Sequence, residues 1–271
     1  MSTLPQSLRS LSLLTDFWSL NLVLHDNSFD SEATQLAQRV GEEFGFPVNA
    51  IMCADNCGFA AACNISVATS NDDFYLFINP DAAISIWPNA WRPTPGIWGP
   101  RIIDQCGRPQ RLSGKSRTPL DEVRNILRLS LHEPQGAGYV SGASLLIDAE
   151  SFGALGGFDE AFFMYYEDID MGVRAGPLGI PVNVKAEWTV RHIGGVSANH
   201  DNASRVRSMR SSAHSSLYFH KKHGHNWRGF GLMMQYYFAI RGGVLCIVGR
   251  KAAASRFRTW SALYRHEMRE H

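Results

Sequence analysis

Between Leu20 and Ile78 short apolar runs of strand length alternate with longer stretches of helical period, and this alternation restricts the chain to few architectures. Leu20 to Leu24 is the first strand candidate, ended by His25-Asp26-Asn27-Ser28. Residues 31 to 45 are spaced as a helix that Ser31 caps and Gly45 closes. A short strand is expected over Asn49 to Met52, followed by an Ala-rich loop and helix over Asn56 to Ala68. Phe74-Tyr-Leu-Phe-Ile78 is apolar throughout, as a strand buried on both faces requires. Strand, helix, strand, helix, strand in this order predicts a parallel α/β sheet. Ahead of it, Leu4, Leu8, Leu11 and Leu14 recur near helical spacing and predict a short amphipathic helix.

Further along, Gly142 to Ile147 reads as a strand and Ala149 to Leu155 as a short helix stopped by Gly156-Gly157. A compact helix is expected over Glu167 to Ala175, then a strand over Val182 to Val190 that runs into His192. Residues 87 to 135 are rich in Pro, Arg and Trp and show no period, so partial mobility is expected there. No internal repeat is present.

At 271 residues the chain is long enough for one large α/β domain with a C-terminal extension. The net charge of +1 hides a gradient: residues 1 to 200 hold 13 Lys and Arg against 22 Asp and Glu, and residues 201 to 271 hold 13 against 3. An acidic body with a basic tail points to an anionic surface as partner for the tail, although a solvated basic helix pair gives the same count. Phe230 to Ile240 and Val244 to Val248 are apolar runs separated by Arg241 and a Gly pair. Each is shorter than the roughly 20 residues needed to span a bilayer, so a helix lying in the interface is expected. Five cysteines include Cys53, Cys57 and Cys63 close together, but no CxxC pair and no second ligand pair at zinc spacing accompanies them, which reads as small buried residues in a reduced compartment. The opening residues lack a basic segment followed by an uninterrupted apolar core, which argues against export.

Three places carry chemistry. Asn79-Pro80-Asp81 follows the most apolar strand, and ligands of open α/β sheets gather at the carboxyl ends of strands. The same tripeptide also makes an ordinary turn. Phe158 to Arg174 runs an aromatic cluster into acids. Asp170 and Arg174 are spaced as a helix ion pair. Glu167 and Asp168 fall at the helix entrance, where the dipole favours a carboxylate and a loop-facing acid reaches substrate. Aromatic residues beside them, Tyr165 and Tyr166 included, would exclude water and suit a saccharide face. His192 ends a strand; beside Asp81 it would supply imidazole and oxygen donors suited to Mg2+ or Mn2+.

In family order, HDNS (25 to 28), NCGFAAACN (56 to 64), FINPD (77 to 81), GGFDEAFFMYYEDIDMGVR (156 to 174) and RHIGGVS (191 to 197) resemble family-2 inverting glycosyltransferases of the GT-A fold, in their bacterial rhamnosyltransferase-like branch. The resemblance covers about residues 5 to 200. It implies an α/β nucleotide-binding sheet flanked by helices over 1 to 200 and a basic helical, membrane-associating extension over 201 to 271. Asp26 would contact the nucleobase, and Asn56, Gly58 and Asn64 would line the nucleotide pocket with Asn79 and Asp81. Asp81 matches the last acid of the DxD metal motif, Asn79 replacing the first. Asp168 matches the general base, Tyr165, Tyr166 and Glu167 lie on the acceptor side, and His192 matches a residue near metal and diphosphate.

The implied reaction moves a sugar, L-rhamnose by branch, from a nucleoside diphosphate donor such as dTDP-rhamnose to a saccharide or lipid-linked acceptor in cell-surface polysaccharide synthesis. The implied place is the inner face of the cell membrane, and nucleic acid is not an implied partner. The family's usual first strand, ending in a Thr-Tyr-Asn-like turn, has no counterpart after Met1. A non-catalytic nucleotide-sugar or saccharide-binding protein is therefore the second reading. A sugar nucleotidyltransferase would need a Gly-rich N-terminal loop that is absent.

Overall fold

The computed structural model describes residues 3–27, 31–53, 55–110, 113–114, 118–119, 121, 138–194 and 201–271. The chain divides into two compact units, one from segments 1–116, 133–161 and 167–196, the other from 117–132, 162–166 and 197–271. Much of the unperiodic stretch 87 to 135, and the end of the RHIGGVS segment, lie outside the described residues.

The first unit opens with α1 (Leu4–Ser10) and a 3-10 turn at Leu11–Leu14. The expected β-α-β unit follows as β1 (Leu22–Asp26), α2 (Ser31–Phe44) and β2 (Val48–Met52), with Leu22 opposite Val48 and Asp26 opposite Met52 in parallel. Next come α3 (Phe59–Ala68), β3 (Phe74–Ile78), β4 (Ala82–Ile86), β5 (Ile97–Ile103), and a two-residue pair of β6 (Ser113–Gly114) with β7 (Tyr139–Val140). The unit ends with β8 (Ser144–Asp148), α4 (Ala149–Leu155), α5 (Glu167–Ala175) and β9 (Val182–His192).

Five of these strands form one sheet in the order β3-β8-β5-β9-β4, while β1 and β2 make a sheet of their own. The expectation of a parallel sheet is corrected here. Only β5 and β9 run parallel within the five strands; β3–β8, β5–β8 and β4–β9 are antiparallel. The alternating pattern that predicted parallel pairing ends at β3, because only Asn79, Pro80 and Asp81 separate β3 from β4 and no helix intervenes. β3 and β4 stand at opposite ends of the strand order yet are joined by Asn79, Pro80 and Asp81 alone. Four residue steps reach about 14 Å, whereas four strand spacings of a flat sheet need roughly 19 Å. The sheet is therefore curled, and its two edges meet at that turn.

Two apolar cores hold the unit. One gathers Leu8, Leu11, Leu14, Val40, Ala82, Ile84, Trp87, Trp188 and Val190; the other gathers Ala60, Ile97, Leu145, Ile147, Phe152, Phe158 and Met171. Side chains such as Ile147 and Trp188 are wholly buried, each worth about 1.5–3 kcal/mol of transfer free energy. Gly172 lets α5 lie against β7, since a Cβ there would come within 2.7 Å of Tyr139 Cβ. That close approach fixes the helix whose first turn carries Asp168.

The second unit contains α6 (Asn202–Lys222), α7 (Trp227–Ile247) and α8 (Lys251–Glu270). Asp201 and Asn226 cap the first two by accepting from the amides of Ser204 and Gly229. Ala213, Leu217, Phe230, Met234 and Tyr264 form the core. Glu267, 2% exposed, accepts from Arg210 Nε at 2.9 Å and pairs with His214 Nδ1 at 3.0 Å. The two apolar runs expected to be separate are one continuous helix of 21 residues, because neither Arg241 nor Gly242-Gly243 interrupts the backbone ladder.

Candidate active site

The Asn79–Asp81 turn is tied down on three sides. Asn79 N–H donates to the Ala143 carbonyl at 3.0 Å, Ala82 N–H closes the turn on the Asn79 carbonyl, and Ile193 N–H donates to the Asp81 carbonyl at 3.1 Å. Asp81 itself is 8% exposed, and its Oδ1 lies 3.4 Å from His192 Nε2. The pairing of Ala82 with His192 in the β4–β9 ladder makes this meeting a consequence of sheet register.

Gln110 decides the state of the imidazole. Its Nε2 donates to the His192 carbonyl at 2.9 Å, so its Oε1 is the atom facing His192 Nδ1 at 3.2 Å. Nδ1 must then carry a proton, and Nε2 presents its lone pair toward Asp81 when the ring is neutral. A histidine that donates one ring N–H to a carbonyl-type oxygen and offers the other nitrogen beside a carboxylate has the arrangement of a metal ligand. Asp81 and His192 thus fit a hard or borderline divalent cation. Gln110 lacked any sequence signal: it sits 82 residues from its partner in an unperiodic segment.

Asp168 stands in the first turn of α5, and its Oδ2 accepts from Gly142 N–H at 2.9 Å. Gly142 is the neighbour of Ala143, which holds Asn79. One dipeptide at the head of β8 therefore clamps both the carboxylate and the turn that carries Asp81.

Glu167, expected on the acceptor side, opens α5. It is 6% exposed, and Oε2 has no hydrogen-bond partner among the described residues. Burial, with the Asp168 charge beside it, pushes this carboxyl well above the usual carboxylate range. Burial and the nearby Glu167 push the Cys63 thiol up in turn.

Tyr165 and Tyr166 precede α5 with φ of 72° and 71°, a left-handed conformation that costs non-glycine residues about 1–3 kcal/mol each. Both fall in the second unit. There Tyr165 bonds Ser208 through its hydroxyl at 2.6 Å and lines an open cavity of about 560 Å3 with Arg205, Arg256, Phe257 and Trp260.

The remaining expected residues lie at the end of β1, ahead of α3 and within α3. Asp26 closes β1 and is 6% exposed, its carbonyl accepting from Cys53 N–H at 3.3 Å. Asn56 Oδ1 accepts from Gly58 N–H at 2.9 Å, and Gly58, with φ of 85°, opens α3 without a side-chain cap. Asn64 is engaged otherwise than expected: its amide donates to the Phe158 carbonyl and to Glu160 and accepts from Phe158 N–H, each at 2.9 Å. It braces the loop ahead of the acids. Asp170, fully buried, pairs with Arg174 at 2.7 Å as expected of a structural ion pair, and Arg174 also donates to the carbonyls of Leu155 and Gly157.

No family model matches the sequence. The solved structures GalNAc-T7 with UDP, GalNAc and Mn2+ and S. aureus TarS align with TM-scores of 0.52 and 0.50 at 14% identity. They cover 92% and 98% of this chain, which spans 50% of each. At that identity they speak for the fold. In sequence the chain is 29% identical over 266 residues to the N-acetylglucosaminyl-diphospho-decaprenol L-rhamnosyltransferase of Mycobacterium tuberculosis, covering 83% of this chain and 82% of that protein. The chain is thus similar in sequence to a rhamnosyltransferase and has the GT-A fold.

Proposed function

We propose that this chain is an inverting glycosyltransferase that moves a sugar, L-rhamnose by likeness to its mycobacterial relative, from a nucleoside diphosphate donor to a lipid-linked saccharide. The observation that carries this reading is the shared clamp at Gly142-Ala143, which sets a carboxylate beside the Asp81 turn. Asp168 takes the acceptor hydroxyl's proton as the oxygen attacks the anomeric carbon. Burial and the neighbouring Asp168 raise the Glu167 carboxyl, which disfavours a second negative charge beside the entering oxygen. Asp26, Asn56 and Gly58 bind the nucleoside, and the uncapped first turn of α3 offers amides to phosphate oxygens. Asp81 and His192 would hold a divalent cation, Mg2+ or Mn2+, which when bound neutralises charge on the departing diphosphate. Asn79 positions the turn, and Asn64 supports the pocket through the loop it braces.

Within the second unit, Tyr165 and Trp260 offer ring faces to sugar while Arg205 and Arg256 complement a diphosphate. α7 supports a place at the inner face of the cell membrane. It is the one described helix long and apolar enough to cross a bilayer, with mean hydropathy 1.3. Its exposed residues Leu232, Tyr236, Ile240, Val244 and Ile247 form one ridge, which suits a helix lying in the interface.

The test is release of nucleoside diphosphate from candidate nucleotide sugars, with a diphospho-lipid saccharide as acceptor and Mn2+ present. Turnover with dTDP-rhamnose that is lost on exhaustive chelation is the expected result. Donor binding without turnover for any acceptor would move the chain to the second reading, a nucleotide-sugar-binding protein.

A further inference from the structure

The end of β1 and the segment after β2 bring together three side chains that the reaction does not use. His25 Nε2 lies 3.1 Å from Cys53 Sγ and 3.7 Å from Cys57 Sγ. All three ligand atoms fall within 4.8 Å of one another. We propose that His25, Cys53 and Cys57 form a binding site for a soft divalent cation of the zinc type, clipping the end of β1 to the segment that leads into α3.

The geometry matches the ion. Zinc bonds of about 2.3 Å to sulfur and 2.0–2.1 Å to nitrogen place tetrahedral ligand atoms roughly 3.5–3.8 Å apart. The two nitrogen–sulfur separations, 3.1 and 3.7 Å, lie on either side of the roughly 3.5–3.6 Å expected for nitrogen and sulfur on one tetrahedral zinc. Cys53 and Cys57 stand four apart, within the spacing one loop can wrap around zinc. Lack of a second pair nearby hid the site from the sequence, because the third ligand comes from β1, 28 residues before Cys53.

The donor set is soft and charge-balanced. The donors are one imidazole nitrogen and two sulfurs, all within 4.8 Å of one another. Only Nε2 faces the sulfurs; Nδ1 is buried without a partner among the described residues. On binding, both thiols release their protons to solvent, and two thiolates neutralise the dication. Three protein ligands leave a fourth position for water or for a group entering beside Asp26.

The test uses cobalt as a spectroscopic probe on the full chain carrying Cys106→Ser and Cys246→Ser, which removes the two exposed thiols. Co2+ should saturate at about one ion per chain with near-ultraviolet thiolate-to-cobalt absorbance and intense tetrahedral visible bands, and Zn2+ should displace it. Cys57→Ser and His25→Gln should each weaken binding at least about tenfold. Asp81→Ala should leave the thiolate band intact, which separates this site from the proposed donor metal and from transferase activity. Absence of the band in the parent chain overturns the proposal even where a variant misfolds. A band undiminished in both Cys53→Ser and Cys57→Ser overturns it as well.

Discussion

Asp168 is fixed before any substrate arrives, with one oxygen on the Gly142 amide and the other on the amide of Ile169. Asp168→Asn keeps an acceptor for Gly142 N–H and should therefore keep the fold and donor binding. It should lower turnover about 10²-fold or more, the scale of lost general base catalysis. Near-normal single-turnover rates in that variant would remove Asp168 from the mechanism. Glu167 makes the opposite kind of contribution. A carboxyl whose native pKa lies above its unfolded value near 4.5 binds its proton more tightly when folded. It favours folding fully below that pH and loses the advantage as pH rises through the native value. Glu167→Gln keeps the shape without the titration, so its melting temperature should gain on the parent's between pH 5 and pH 8. A constant difference across that range would show that Glu167 titrates normally.

At the scale of elements, the segments with strong period were legible. α2, β3, α4 and α5 lie where apolar spacing puts them; β3 sends Phe74, Leu76 and Ile78 to one core and Tyr75 and Phe77 to the other. β5 escaped because Pro100 stands inside it, and proline removes a ladder donor. The strand survives because its register with β9 shifts between Pro100 and Arg101, and β8 pairs only with Ile97 and Trp98 ahead of the proline. Packing that no local pattern announces anchors it: Trp91 meets Trp98 at 5.3 Å and Trp188 at 6.0 Å between ring centres. The site was legible to the same degree. Asp81, Asp168 and His192 end or begin periodic elements, whereas Gln110 and the His25–Cys53–Cys57 cluster depend on long-range meetings. Asn64 shows how an element-level role can resemble a binding role in sequence. Asn64→Ala removes three hydrogen bonds between α3 and the loop at Phe158, and should cost about 1–3 kcal/mol by denaturant unfolding. If stability is unchanged and only the donor Michaelis constant rises, Asn64 belongs to the nucleotide pocket after all.

The charge gradient belongs to the whole molecule. Thirteen basic residues against three acidic ones after residue 200 give the second unit a positive field, while the first 200 residues are net acidic. Within the second unit α7 turns Phe230 and Met234 into the helical core and leaves Ile240, Val244 and Ile247 exposed by 66%, 54% and 86%. Arg241 lies in the same helix and stacks over Phe257 at 5.1 Å. A guanidinium in mid-helix costs several kcal/mol at a bilayer centre and far less at headgroup level. An interfacial helix keeps Arg241 in place while burying the apolar ridge. Each Lys or Arg near an anionic surface adds on the order of 1 kcal/mol, screened by salt. The full chain should therefore float with vesicles containing anionic lipid at low salt, and partly detach at high salt. Ile240→Asp with Val244→Asp, both on the exposed ridge, should abolish flotation while circular dichroism stays unchanged. Flotation that ignores both salt and the Asp pair would mean α7 spans the bilayer, and no flotation at low salt would leave the basic unit without a membrane role.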